Sequence, residues 1–218
     1  MLKIGRFLLE NIVLVLAVSA PTVLLADIFP GIHLRGKPSV NSWKALRDFR
    51  IVKQELDYSC GAASLATILN EFYGLSVTEK DILNRMGATD RSSFQELADV
   101  APAYRVKAGG LMLTFEDLKR LKVPVIAYIQ YRGDDHFTVI RGVRQDGVVH
   151  LADSSWGNRQ LTAHQFRRMW EAQDTDGTAR GRILLLVPQD IAVTKTEETF
   201  FAEPKGWTLP LQTLPLAR

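Results

Sequence analysis

The chain has 218 residues, 46% hydrophobic and 23% charged, the balance of an ordinary soluble domain, which excludes disordered, collagen-like and polytopic membrane chains. A formal charge of +3 without a basic stripe gives no surface for nucleic acid. The single cysteine excludes an internal disulfide and any zinc site needing two or more thiolates.

In chain order, Lys3 and Arg6 precede a mostly apolar stretch from Ile12 to Ala26, the parts of a secretory signal. Val18-Ser19-Ala20 has the small-residue spacing of a cleavage site, and a second cut after Ala26 would leave Asp27 first. Ile12 to Ala26 falls short of the roughly 20 apolar residues of a bilayer span, and reaching back to Ile4 would bury Glu10. Residues 1–26 are therefore expected to be a cleaved signal. An uncleaved anchor associating with the membrane is the first alternative, and a helix of the fold the second. Export to the periplasm or cell envelope follows from the signal. Residues 27–48 carry Pro30, Gly31, Gly36 and Pro38 and read as an irregular lead-in. Phe49 to Lys53 alternates weakly, as a short strand would.

Cys60 to Tyr73 has helical spacing through Leu65, Ile68, Leu69 and Phe72, with Gly74 as the stop. Thr78 with Asp81, Ser93 with Glu96, and Thr114 with Asp117 each set a hydroxyl three residues before a carboxylate and predict three short helices. Gly109-Gly110 reads as a turn. Val123 to Ile129 and Phe137 to Ile140 are β-rich runs, and Asp146-Gly147 turns the chain into Val148 to Ala152. A second turn at Asp153 to Asn158 precedes Arg159 to Leu161. Thr162 and Gln165 cap a helix bearing Phe166, Met169 and Trp170, and Ile183 to Val187 is a final buried strand. Pro204, Pro210 and Pro215 mark residues 191–218 as a tail. Helices first and an antiparallel sheet second give an α+β domain over residues 49–190.

The chemistry concentrates around Cys60. A thiol at a helix start meets unpaired N–H groups and the positive end of the helix dipole, which favour the nucleophilic thiolate. Gly61, Ala62 and Ala63 leave room for a substrate carbonyl, and the upstream Gln54 amide could join the Cys60 N–H in holding an oxyanion. Most free cysteines are small buried hydrophobes, but an exported lone thiol risks oxidation, which weakens that reading here. A thiolate nucleophile needs a base. His136 opens a β run, a rigid platform for an imidazole, whereas His33, His150 and His164 read as ordinary surface or half-buried rings. Asp153 ends the next strand, where antiparallel pairing brings it back beside the start of the His136 strand in an approximate register. Asp134 and Asp135 compete, but strand neighbours point apart.

Together Gln54, Asp57, Cys60-Gly61-Ala62-Ala63, Leu65, His136, Leu151 to Gly157 and Phe166 resemble the double-glycine peptidases that process bacteriocin leaders, a bacterial branch of the papain-like cysteine peptidases. The resemblance spans Phe49 to Val187. It implies a papain-like fold with Cys60 as nucleophile, His136 as base, Asp153 as the orienting residue and Gln54 as oxyanion donor. Ser59 stands where the family often has Asp, and Ser154 where Pro is common. No Walker-type phosphate loop and at most one apolar span are present, so a leader-cleaving exporter role does not carry over. The expected activity is an exported cysteine peptidase using an acyl-enzyme on a peptide or protein substrate, with cleavage after Gly-Gly as one specificity and with no metal or organic cofactor. Two rivals stand beside it: a non-catalytic module binding a peptide or partner on the same fold, and an acyl-transferring crosslinking enzyme.

Overall fold

The computed structural model describes residues 42–87, 90–189 and 197–201. The expected signal at 1–26, most of the expected lead-in and the expected tail beyond Phe201 lie outside the described residues. Among the described residues, no helix is long and apolar enough to cross a membrane.

Helices come first: α1 (Trp43–Arg47), α2 (Cys60–Glu71), α3 (Glu79–Met86) and α4 (Phe94–Val100). They are followed by β1 (Val106–Leu113), α5 (Phe115–Arg120), β2 (Val125–Tyr131), β3 (Asp134–Val143), β4 (Val149–Asp153), β5 (Gly157–Leu161), α6 (Ala163–Trp170), β6 (Glu171–Gln173) and β7 (Ala179–Pro188). Every predicted cap forms. The Thr78, Ser93, Thr114 and Thr162 hydroxyls each accept the backbone N–H three residues on, and for α3, α4 and α6 the acidic or amide side chain returns the bond.

The seven strands form one sheet in the order β1-β7-β2-β3-β4-β5, with β6 beside β7, and all the pairings are antiparallel. One apolar cluster fills the space between α2, α4 and the sheet, with Leu65, Ile68, Leu97, Ile126, Val139 and Leu184 at its centre. A second lies around α5 and α6, built on Phe115, Phe166, Trp170, Ile129 and Leu151. Gly181 permits that packing, because a Cβ there would sit 2.0 Å from the Trp170 ring.

Two backbone details set the site. The β2–β3 hairpin turns on two residues, Arg132 at φ 55° and Gly133 at φ 88°, the left-handed pair of a tight turn that matches strand twist. That fixes Ile129 opposite His136. Between β3 and β4 the register shifts at Arg141: Val143 faces Val149, but Ile140 faces Leu151 and Val139 faces Ala152. Because side chains alternate, one extra residue exchanges the faces. Continued one step, the register sets Asp153 opposite Thr138, on the face that also carries His136. An unbulged ladder would have turned the carboxylate away. The bulged residue itself is buried, donates to the Phe49 and Arg50 carbonyls at 3.1 Å each, and stacks over the Phe200 ring at 4.5 Å.

Four expectations need correction. Phe49 to Lys53 forms no strand. Gly109-Gly110 is no turn but the middle of β1, paired with Leu185 and Leu184 of β7. The end of the lead-in is helical as α1, which packs along β5, where the Asn158 amide donates to the Arg47 and Phe49 carbonyls at 3.1 and 2.8 Å. Finally, Glu198–Phe201 of the expected tail forms a 3-10 turn whose Phe200 is fully buried against Phe72.

Candidate active site

Cys60 is the first residue of α2, entered through a turn in which Ser59 plays two roles. Its hydroxyl donates to the Leu56 carbonyl at 2.8 Å and accepts the Leu56 N–H at 3.2 Å, closing the turn locally. Ser59 makes no side-chain cap to the helix, so its hydroxyl leaves the first N–H groups of α2 uncovered. Gly61 allows α2 to start this close to the sheet: a Cβ there would come within 3.1 Å of Phe137, 3.2 Å of Leu97 and 3.3 Å of Ser92. The Phe137 N–H points at the Cys60 sulfur from 3.5 Å.

His136, one residue before Phe137 in β3, is joined to Asp153 through Nε2, 3.0 Å from Oδ2. The ring and the Cys60 sulfur lie close enough to shift each other's ionisation, and the next residue of β3 sets its N–H on that sulfur. The other carboxylate oxygen of Asp153 accepts the Ser155 and Trp156 N–H groups at 2.9 and 2.8 Å. Asp153 is completely buried, so its oxygens are placed by protein donors rather than by water. Trp156 sits beside the imidazole, ring centres 5.5 Å apart, and is held between Tyr131 and the Arg159 guanidinium, the latter 4.5 Å away.

Electrostatics follow from this layout. Burial pushes the Cys60 thiol up, but the hydrogen bond and charge of His136, with the Phe137 and Gly61 N–H groups, outweigh it and bring the thiol below its ordinary value. Burial likewise opposes the His136 charge, yet Asp153 and the sulfur together raise the ring to about 9. Burial also works against the Asp153 carboxylate, and the imidazole and the Trp156 N–H still hold it below its usual range. Each shift favours a thiolate–imidazolium pair backed by a carboxylate. Such a trio can attack a carbonyl and pass the proton on.

Gln54 lies between two parts of this assembly. Its Nε2 donates to the Leu56 carbonyl at 2.9 Å, in the turn that leads into Cys60. Its Oε1 accepts the Ser154 and Ser155 hydroxyls at 2.9 and 2.5 Å. Of the competing acids, Asp135 is engaged by the Tyr128 hydroxyl and by Gln130. His150 lies on β4 and His164 on α6, and His33 is outside the described residues. The sequence assigns no role to Ser154, Ser155 or Trp156, although they directly follow Asp153 in the turn. A groove of about 550 Å³, lined by Leu56, Tyr58, Lys80 and Leu83 among others, flanks the turn before Cys60.

A profile of the family described as Peptidase C39 matches residues 48–173. The chain belongs to the Peptidase C39 family. Its C39 fold is shared with a solved double-glycine-motif protease from an AMS/PCAT transporter, crystallised with the leader peptide. That likeness has a TM-score of 0.53 at 25% identity and covers 63% of this chain and 90% of that one. The peptidase domain of Streptococcus ComA gives a TM-score of 0.54 at 17% identity, over 64% of this chain and 98% of its own, a likeness of fold alone. Among curated proteins, a Pseudomonas aeruginosa protein named "Probable functional amyloid protease FapD" is 28% identical over 74% of this chain and 76% of its own. Its namesake from Pseudomonas fluorescens is 30% identical over 60% and 61%. The helical half packed on an antiparallel sheet is thus the papain-like arrangement expected from the resemblance.

Proposed function

We propose that the chain is an exported cysteine peptidase acting through Cys60, His136 and Asp153. The Cys60 thiolate attacks the peptide carbonyl carbon, and the electron pair displaced onto oxygen is held by the Cys60 N–H and a Gln54 amide hydrogen. His136 protonates the departing amine, leaving an acyl group on sulfur. It then takes a proton from water as the water attacks the thioester, and returns it to the sulfur as the acid leaves. Asp153 keeps the ring oriented and stabilises its charge throughout.

The observation that carries this reading is the imidazole bonded to Asp153 at 3.0 Å, on the strand whose next residue, Phe137, sets its N–H on the Cys60 sulfur at 3.5 Å. Membership of the C39 family supports the reaction class. The likeness to a double-glycine-motif protease supports cleavage after paired glycines. The name of the Pseudomonas aeruginosa relative supports a functional-amyloid protein as the substrate class. Export rests on Lys3, Arg6 and the apolar run to Ala26.

The test is labelling with iodoacetamide at neutral pH, with the adduct mapped, followed by incubation with peptides containing Gly-Gly. Adduct on Cys60 that is suppressed in His136→Ala, together with peptide products shortened after Gly-Gly, is the expected result. A Cys60 that stays unlabelled at pH 7 would leave a binding module on a peptidase fold. Products joined to an added amine would make the enzyme a transferase.

A further inference from the structure

The turn after Asp153 does more than carry the carboxylate. Ser154, 1% exposed, and Ser155, which is exposed, both aim their hydroxyls at one acceptor, Oε1 of Gln54. The Gln54 N–H completes the link by donating to the Ser154 carbonyl at 3.3 Å. A side-chain amide can be turned end for end, and only its partners choose the orientation. Here they leave one choice. Reversed, the amide would set its oxygen against the Leu56 carbonyl, two acceptors face to face. In the observed orientation Oε1 is saturated by two donors, Nε2 spends one hydrogen on the Leu56 carbonyl at 2.9 Å, and its second hydrogen is left for an incoming oxygen.

We propose that Ser154 and Ser155 are positioning residues that clamp Gln54 in the orientation required of an oxyanion donor. The inference rests on the reading of Cys60 as nucleophile and Gln54 as donor. The clamp ties the two auxiliary groups of the site together. The backbone N–H groups of Ser155 and Trp156 hold Asp153, and the hydroxyls of Ser154 and Ser155 hold Gln54, so a single turn sets both the base's partner and the oxyanion's partner. Ser154 is also where this chain departs from the common proline of the family it resembles. A proline has no hydroxyl to offer.

A clamp acting through an oxyanion donor affects attack on a carbonyl and spares displacement at a saturated carbon. Two reagents separate these in the full chain at pH 7, with adducts mapped to Cys60. Iodoacetamide alkylates the sulfur with loss of iodide and develops no oxyanion at the reacting carbon. With p-nitrophenyl acetate, sulfur bonds to the carbonyl carbon, the electron pair moves onto oxygen, and its return expels p-nitrophenolate to leave acetyl on sulfur. Losing an oxyanion donor outright costs about 100- to 1,000-fold, so a donor set loose in Ser154→Ala/Ser155→Ala is expected to slow acetylation about tenfold. Alkylation should change less than about twofold, since the ion pair is untouched. In a Gln54→Ala background the serine substitutions should have no additional effect.

Acetylation at the wild-type rate, equal losses with both reagents, or the same serine effect with Gln54 absent would each overturn the clamp. The buried Ser154 makes the double variant the riskier one to fold. Ser155→Ala alone, at an exposed position, then decides the matter, with acetylation expected to slow about threefold or more. A wild-type chain that takes neither reagent at Cys60 overturns the peptidase reading and this inference with it. A wild-type chain that takes both, beside serine variants that match it, overturns the clamp alone.

Discussion

Replacing Asp153 by asparagine keeps the size of the side chain and an oxygen to accept the Ser155 and Trp156 N–H groups, while removing the charge facing His136. In the native protein the imidazole rises from 6.5 to about 9, on the order of 3 kcal/mol. Burial works against that rise, so the Asp153 bond and charge, aided by the sulfur, must more than supply it. Without the carboxylate, burial favours a neutral ring and the thiolate loses its counter-ion. What then acts on the thiol is chiefly its own burial, which pushes upward. A thiol at its ordinary 9.0 is only about 1% ionised at pH 7, so alkylation of Asp153→Asn should fall between tenfold and about 100-fold at that pH. The assay is the second-order rate with iodoacetamide from pH 4 to 10, with thermal melting to check folding. A variant that melts normally and shows the native rate at pH 7, with an unmoved ionisation midpoint, would refute the charge-supported ion pair.

Other outcomes follow from the same geometry. His136, raised from 6.5 to about 9, contributes stability that is complete below 6.5 and lost as pH climbs through 9. Cys60, lowered from 9.0, contributes stability complete above 9.0 and lost as pH falls through its folded value. Where the two windows overlap, the slopes oppose each other. The wild-type urea midpoint should therefore change less with pH than that of Cys60→Ala, in which Asp153 alone supports the ring and stability falls as pH rises above 6.5; two parallel profiles would contradict this. Gly61→Ala drives a methyl into Phe137, Leu97 and Ser92, which should cost about 1–3 kcal/mol in denaturant unfolding. Phe200→Ala empties a fully buried site against Phe72 and should cost about 3–5 kcal/mol, and a loss under about 1 kcal/mol would mean that the 3-10 turn is not part of the core.

What the sequence exposes well is local. The hydroxyls of Thr78, Ser93, Thr114 and Thr162 cap their own helices within three residues, so no distant contact is needed to predict them. The apolar runs Val123 to Ile129 and Ile183 to Val187 announce themselves by composition, and the strands that hold them pair on both sides. Cys60, His136 and Asp153 are legible because a helix start, a strand start and a strand end are recognisable places for them. The misses are non-local. At the sheet's edge β1 shows much of its length to solvent, and Gly109-Gly110 within it has the composition of a turn; only its ladder to β7 makes it a strand. Phe200 is an aromatic in a proline-bearing stretch, and its partner Phe72 is far away in sequence. The bulge at Arg141 leaves no compositional mark, although it decides which face Asp153 occupies. Ser154 and Ser155 look like ordinary turn residues until the chain returns Gln54 to them.

The place of β7 has a practical corollary. The family match stops at residue 173, whereas β7 runs from Ala179 to Pro188 and is laid between β1 and β2. A gene fragment trimmed to the match would encode a sheet with a strand torn from its interior. It would leave β1 with no neighbour to zip to and Ile126 and Ala127 with raw amide edges, an invitation to pair with another molecule and precipitate. A piece meant to fold needs at least β7, α1 along β5 and the Phe200 plug.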